Sequence, residues 1–314
     1  MKVLVPDSLQ LSLPAPTSEI EYTTYSISTT DFSAHSDAEI LVVWMNTSEN
    51  LAAAVNQLTH LKLVQSLAAG PDQVLAAGFA PHIAVASGRG LHDSTVAEHT
   101  LALALALVRN LDGLQNAQKN HLWDPITINE QADPATSHLY TLNRATILII
   151  GFGSIAERLA PLFTELGASV TGVAQSSGVR SGYPVISFEE MPSQLANFNL
   201  VISLLPYTTK TEKAFNSEFF ASMNSSAIFI NVGRGKTLDE RALISALRTG
   251  QIRKAAIDVT YFEPLDSQSE LWDLPGLIIT PHISGGRPQE AERLIELNAS
   301  RILANQEVEN FVAR

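Results

Sequence analysis

The chain reads as α/β, with two doubly wound parallel-sheet domains and a cleft between them. Three observations predict this. Short apolar runs alternate with helical patterns along most of the chain, as in successive βαβ units. The strongest run, Ala145 to Ile150, is continuous and ends at Gly151, as a strand buried on both faces should. The length, 314 residues, exceeds what one core usually holds, so two domains are expected.

In chain order, strands are predicted at Val3–Val5, Ile40–Trp44, Lys62–Gln65 and Ile83–Ala86, with helices around Glu49–Leu58 and Pro71–Gly78. The turn Leu67-Ala-Ala-Gly70-Pro-Asp72 follows one of these strands, and carboxyl-end loops are where open α/β sheets bind ligands. A long helix is predicted from about Ser94 to Leu114, with Asp93 or Ser94 as cap and Glu98 near its first turn. Its middle, Leu101–Val108, is apolar on most faces, which calls for burial; a share in a dimer interface is expected, a central core helix being the alternative. Residues 118–143 are polar and carry Pro125 and Pro134, and read as a surface connection. Beyond Gly151, strands are predicted at Ala168–Ala174, Pro184–Ser187, Leu200–Leu204, Ala227–Val232, Lys254–Val259 and Leu277–Thr280. Helices are predicted at Ser217–Met223, Asp239–Thr249 and Gln289–Val308.

Composition narrows the function. A formal net charge of −12 argues against nucleic acid as a partner, since binding it means neutralising phosphates. With no cysteine, disulfides, thiolate metal sites and thiol nucleophiles are excluded. No histidine spacing matches a metal site, so no metal is expected. The apolar run at Leu101–Val108 is far short of the roughly 20 residues that span a bilayer. The start, Met1-Lys-Val-Leu-Val-Pro6, reads as a first strand and not as a secretory signal. A cytoplasmic protein without membrane contact is expected.

The chemistry centres on Gly151-Phe-Gly153-Ser-Ile-Ala156. Gly151 permits a tight turn, Gly153 lets backbone approach a pyrophosphate, and a helix opening at Ser154 aims its N–H groups at the phosphates. Set between a strong strand and a strong helix, this is a Rossmann-type dinucleotide fingerprint with Ala156 as the third small residue. An NAD site usually carries an acidic residue about 20 positions on, for the ribose hydroxyls. Here no acidic residue occurs between Glu165 and Glu189. Gln175, Ser176, Ser177 and Arg180 stand there instead, a set able to take a 2′-phosphate. NADP(H) is therefore expected over NAD(H).

Four further stretches follow the same order: Val96-Ala-Glu-His-Thr100, Asn231-Val-Gly-Arg234-Gly235, Asp258-Val-Thr-Tyr-Phe-Glu263-Pro264 and Pro281-His282-Ile-Ser-Gly285-Gly286. With the fingerprint, the chain resembles the D-isomer-specific 2-hydroxyacid dehydrogenase family, from about Gly70 to Gly286. The resemblance implies hydride transfer between a nicotinamide and a small 2-keto or 2-hydroxy acid. It also implies a substrate domain of residues 1–93 plus 287–314, a dinucleotide domain of 94–286, and a homodimer. Trp123 falls where such proteins often carry a tryptophan near the subunit interface.

Arg234, Glu263 and His282 each follow a predicted strand, so all three can meet at one sheet edge. Histidine suits proton transfer near neutrality, a carboxylate beside it stabilises and orients the protonated ring, and a guanidinium forks a carboxylate. His282 is thus the expected acid/base, Glu263 its partner and Arg234 the substrate clamp. The plainer alternatives are a turn histidine for His282 and a solvated loop charge for Glu263. By resemblance, Ala69 and Gly70 would offer amides to the substrate carboxylate. Ser154, Ile155, Leu205, Pro206, Thr211, Val232, Gly233 and Gly285 would line the cofactor, and Asp258 would bond the nicotinamide end. A strand-end cap is the alternative for Asp258. His99 and Glu98 read as helix packing and capping residues.

The substrate expected is glyoxylate or hydroxypyruvate. A phosphorylated analogue, 3-phosphohydroxypyruvate, is the rival, disfavoured because residues 1–88 hold only Lys2 and Lys62 as basic groups. With the chain ending at Arg314, no added regulatory domain is expected. A reading from another class, a cofactor-sensing co-repressor that resembles this family, would want a peptide groove and disordered tails. A formate dehydrogenase reading is weaker, since that reaction needs no acid to protonate a keto group.

Overall fold

The computed structural model describes residues 1–133 and 138–313; Pro134 lies outside the described residues. The chain divides into two compact units, Met1–His92 with Arg287–Arg314, and Asp93–Gly286.

The first unit is built on β1 (Lys2–Pro6), β2 (Glu21–Tyr25), β3 (Ile40–Val43), β4 (Leu63–Ser66) and β5 (Ala84–Ala86). All pair in parallel, in the order β2-β1-β3-β4-β5. The central strands β3 and β4 are buried along their whole length; β3 accordingly reads as an unbroken apolar run, while β4 ends on the buried polar pair Gln65 and Ser66. Strand β2 was not expected: its sequence, Glu-Tyr-Thr-Thr-Tyr, lies at the sheet edge with one of its five residues buried. An edge strand needs no apolar run, so periodicity does not announce it. Helix α1 (Ser48–Gln57) is capped by Thr47, whose hydroxyl accepts from the Asn50 amide. Helix α2 (Asp72–Ala77) ends at Gly78 in the left-handed conformation, φ 82°.

The helix Ala291–Leu303 belongs to this unit, shorter than the expected Gln289–Val308 because Glu290 before it is left-handed, at φ 55°. Leu294 and Ile295 enter one core with Val3, Val5, Ile40, Val42 and Leu63, each such burial worth about 1.5–3 kcal/mol. Asn298 donates to the buried Gln65 at 2.6 Å, satisfying a polar pair that would otherwise be costly there.

The second unit begins with α3 (Asp93–Val108), α4 (Leu111–Lys119) and α5 (Pro125–Ala132). The single long helix expected over 94–114 is broken at Asn110, which is left-handed at φ 55°. Its amide donates to Thr127 at 2.7 Å and its carbonyl oxygen accepts from Lys254 at 2.5 Å, so tertiary partners hold the break. Helix α5 corrects the expected bare connection: Asp124 caps it and Pro125 fills its first turn.

The sheet comprises β6 (Thr146–Ile150), β7 (Ser169–Ala174), β8 (Gly178–Arg180), β9 (Tyr183–Ser187), β10 (Leu200–Ser203), β11 (Ile228–Asn231), β12 (Lys254–Ile257) and β13 (Leu277–Ile279). Its order is β13-β12-β11-β10-β6-β7-β9-β8, parallel except for the β8–β9 hairpin. Strand β8 was unexpected; Gly178, Val179 and Arg180 are too short and too exposed to signal a strand. Helices α6 (Ser154–Glu165), α7 (Ser217–Ala221) and α8 (Glu240–Arg248) complete the unit; Ala291–Leu303 is α9. One face of the sheet packs with Leu103, Leu107 and Phe163, the other with Phe215, Phe220 and Leu243. The chain leaves β6 for β7 on one side, and β10 lies on the other. Gly151 therefore sits at the reversal point, where doubly wound sheets open a ligand crevice. Among the described residues, no helix is long and apolar enough to cross a membrane.

Candidate active site

Three loops at the carboxyl ends of β11, β12 and β13 carry the charged residues. After β11, the Arg234 carbonyl accepts from the Thr237 hydroxyl at 2.6 Å, and the Arg234 guanidinium donates to the Gly233 carbonyl at 2.9 Å. Gly235 explains the closeness of the next loop: a Cβ there would stand 1.8 Å from the Thr260 oxygen. Only glycine lets the loops after β11 and β12 meet so tightly.

After β12, Glu263 turns back on its own loop. One carboxylate oxygen accepts from the Thr260 amide at 3.1 Å, and the other faces His282 Nδ1 at 2.6 Å. Burial pushes the Glu263 carboxyl up, but the His282 hydrogen bond and charge, the Thr260 amide and the Arg234 charge together hold it below its ordinary value. Nδ1 facing a carboxylate carries the proton, so Nε2 is the ring nitrogen outside that contact. The two side chains remain 45% and 38% exposed, so small molecules reach them.

His282 itself is left-handed, at φ 53°. Its loop wraps the Asp258 carboxylate, which accepts from the Thr280 hydroxyl at 2.6 Å and from the Ile283 and Ser284 amides at 3.0 Å each. Its side chain is 0% exposed, and both carboxylate oxygens accept hydrogen bonds from its own chain.

The fingerprint loop has the shape a dinucleotide requires. Gly151 is left-handed at φ 97°, with a Cβ position 3.1 Å from the Leu204 carbonyl carbon. At Gly153 a Cβ would meet nothing within 4 Å, and no side chain caps α6 there. The positive end of a 12-residue helix thus opens onto clear space beside bare backbone. These residues fit a pyrophosphate. Beyond β7, Gln175, Ser176 and Ser177 are exposed, and the β8 hairpin folds Arg180 back to donate to the Ser176 hydroxyl at 3.3 Å. Ser177 also meets Glu190, a carboxylate 13 residues along the chain that sequence spacing did not bring to notice.

Other expected residues are placed less directly. Leu205 and Val232 are buried, Leu205 in the core beneath the sheet. Ile155 is partly buried and packs on the opposite core. Pro206 and Thr211 are joined by a hydroxyl-to-carbonyl bond of 2.9 Å. The Gly233 amide donates to Asn231 at 3.1 Å, and the Gly285 carbonyl accepts from Thr95 at 2.6 Å. Ala69 and Gly70 lie in the first unit, in the loop between β4 and α2. Thr260 and Thr280 had no sequence signal, because an amide and a lone hydroxyl form no motif. Among the described residues, no group of three or more His, Asp and Glu side chains could hold a metal.

A phosphate-ready glycine turn at a sheet reversal, with an imidazole–carboxylate pair and a guanidinium in the same unit, defines a dinucleotide-dependent oxidoreductase. Residues 101–284 match the family model described as D-isomer specific 2-hydroxyacid dehydrogenase, NAD binding domain. The chain is 30% identical over 281 residues to glyoxylate/hydroxypyruvate reductase A of Yersinia enterocolitica, covering 85% of this chain and 82% of the relative. It resembles the crystal structure of a D-isomer specific 2-hydroxyacid dehydrogenase family protein from Aeromonas salmonicida, at TM-score 0.82 and 28% identity over 95% and 92% of the two chains. A dehydrogenase of that family from Xanthobacter autotrophicus, in complex with NADPH and MES, matches at TM-score 0.78 and 27% identity over 94% and 90%. The chain belongs to the D-isomer-specific 2-hydroxyacid dehydrogenases, NAD(P)-dependent enzymes acting on a CH–OH group.

Proposed function

We propose that this enzyme reduces a small 2-keto acid of the glyoxylate or hydroxypyruvate type to the D-2-hydroxy acid, with NADPH preferred over NADH. The observation that carries the reading is the 2.6 Å contact between His282 and Glu263. It sets the imidazole against a carboxylate, which stabilises positive charge on the ring. The nicotinamide supplies hydride to the keto carbon when bound. His282 delivers a proton to the carbonyl oxygen as that oxygen gains charge, and takes one back in the oxidative direction. Glu263 stabilises the imidazolium before transfer and fixes the ring's tilt. Arg234 forks the substrate carboxylate and draws electron density from the adjacent carbonyl.

The cofactor preference is supported by the missing acidic residue after β7 and by the convergence of Arg180 on Ser176. The NADPH complex of the Xanthobacter relative agrees with it. A homodimer is supported by apolar side chains left exposed in the second unit: Trp123 is 89% exposed, with Leu122, Ile126 and Ile128 beside it in the chain. A single purified sample tests the core of the proposal. His282→Ala should cut turnover of hydroxypyruvate by roughly 10²–10⁴-fold while NADPH still binds. A mutant that retains turnover removes His282 from the acid/base role.

A further inference from the structure

Beneath the His282 loop lies a second histidine that the reaction does not use. His99 on α3 places Nε2 at 3.1 Å from the Thr280 hydroxyl and 3.6 Å from an Asp258 oxygen. We propose that His99 and Thr280 are positioning residues for His282, acting through the Asp258 carboxylate. The inference rests on His282 being the acid/base.

The direction of each hydrogen bond follows from proton count. Ionised Asp258 can only accept, so the single hydroxyl proton of Thr280 goes to it at 2.6 Å. The Thr280 oxygen is then left as acceptor toward His99, and the ring nitrogen must donate. The result is a one-way chain from imidazole N–H to hydroxyl to carboxylate, whose members polarise one another. Its far end accepts from the amides of Ile283 and Ser284, while the Asp258 backbone carbonyl accepts from the His282 amide at 2.7 Å. The two residues after His282 and the hydroxyl two residues before it are therefore tied to one carboxylate. That anchorage sustains a left-handed backbone, φ 53°, at a residue other than glycine. It also sets where the ring lies, and from that position Nδ1 meets Glu263 at 2.6 Å. The His99 ring meets the Thr280 hydroxyl and the Asp258 carboxylate, and the Thr280 hydroxyl donates to Asp258, so their influence on His282 passes through that carboxylate.

The test compares full-length Thr280→Val, which keeps shape and removes the hydroxyl, with Thr280→Ser, which restores it. His99→Phe and His99→Gln form a second pair, removing and restoring the donor on a side chain that is 21% exposed. With hydroxypyruvate and NADPH, Thr280→Val should lower kcat by about 10- to 100-fold and leave KM within about twofold, since binding groups are intact. Thr280→Ser should recover most of the loss, and His99→Phe should show a smaller loss that His99→Gln repairs. Hydrogen–deuterium exchange at Ile283 and Ser284 should quicken in Thr280→Val and His99→Phe only. This readout needs no turnover, so it decides the matter even with a substrate the enzyme ignores. Wild-type kcat and exchange in Thr280→Val would overturn the inference, as would equal impairment in Thr280→Ser. If Thr280→Val does not fold, the His99 pair decides by the same criteria. A dead His282→Ala beside an unimpaired Thr280→Val defeats the positioning inference alone. An active His282→Ala defeats the acid/base reading beneath it as well.

Discussion

Glu263→Gln is the most informative single change, because it removes charge and keeps shape. In the native protein the carboxylate meets His282 Nδ1 at 2.6 Å and takes the Thr260 amide with its other oxygen. A hydrogen bond to a charged group contributes about 1.5–3 kcal/mol. The pair is 45% and 38% exposed, so water screens it and the lower end applies. About 1.4 kcal/mol is tenfold in rate, so kcat for keto-acid reduction should fall roughly tenfold. Glutamine still accepts from Thr260, so KM should change little. Loss of NADPH absorbance in steady state gives both constants. Wild-type kcat would refute the role assigned to Glu263.

Further outcomes follow from the same geometry. Arg180→Ala should raise KM for NADPH several-fold and leave NADH kinetics alone; an unchanged KM for NADPH would remove Arg180 from the cofactor site. Acid should destabilise the protein partly through Glu263. Its folded carboxyl lies below its ordinary value, so its stabilising contribution is complete above the unfolded pKa of about 4.3 and lost as pH falls through the folded value. Thermal melts of wild type and Glu263→Gln should therefore converge in that acid window, and parallel curves would contradict it. Trp123→Glu places a charge on a ring that is 89% exposed, and should shift a dimer to monomer by light scattering without lowering the melting temperature.

Much of the fold was legible because burial on both faces forces unbroken apolar runs. Strands β3, β6, β10 and β11 have that character over most of their length, and each lies close to its expected position. What was not legible lies at the edges. Strands β2 and β8 border their sheets and carry polar or exposed residues, so their pairing depends on the neighbouring strand and not on their own pattern. The break at Asn110 is decided by Thr127 and Lys254, 17 and 144 residues away in the chain.

The candidate site divides the same way. Residue type and spacing by themselves determined that a glycine turn opening a helix follows β6 and that Arg234, Glu263 and His282 each follow a strand. Those features are local, because a glycine's backbone freedom and the end of an apolar run are visible in a few residues. Only the tertiary structure decided which hydrogen bonds Asp258 would hold and that His99, from a helix 181 residues before Thr280, would join them. A carboxylate's partners are set by whichever donors the fold brings within about 3 Å, and sequence order does not report that distance.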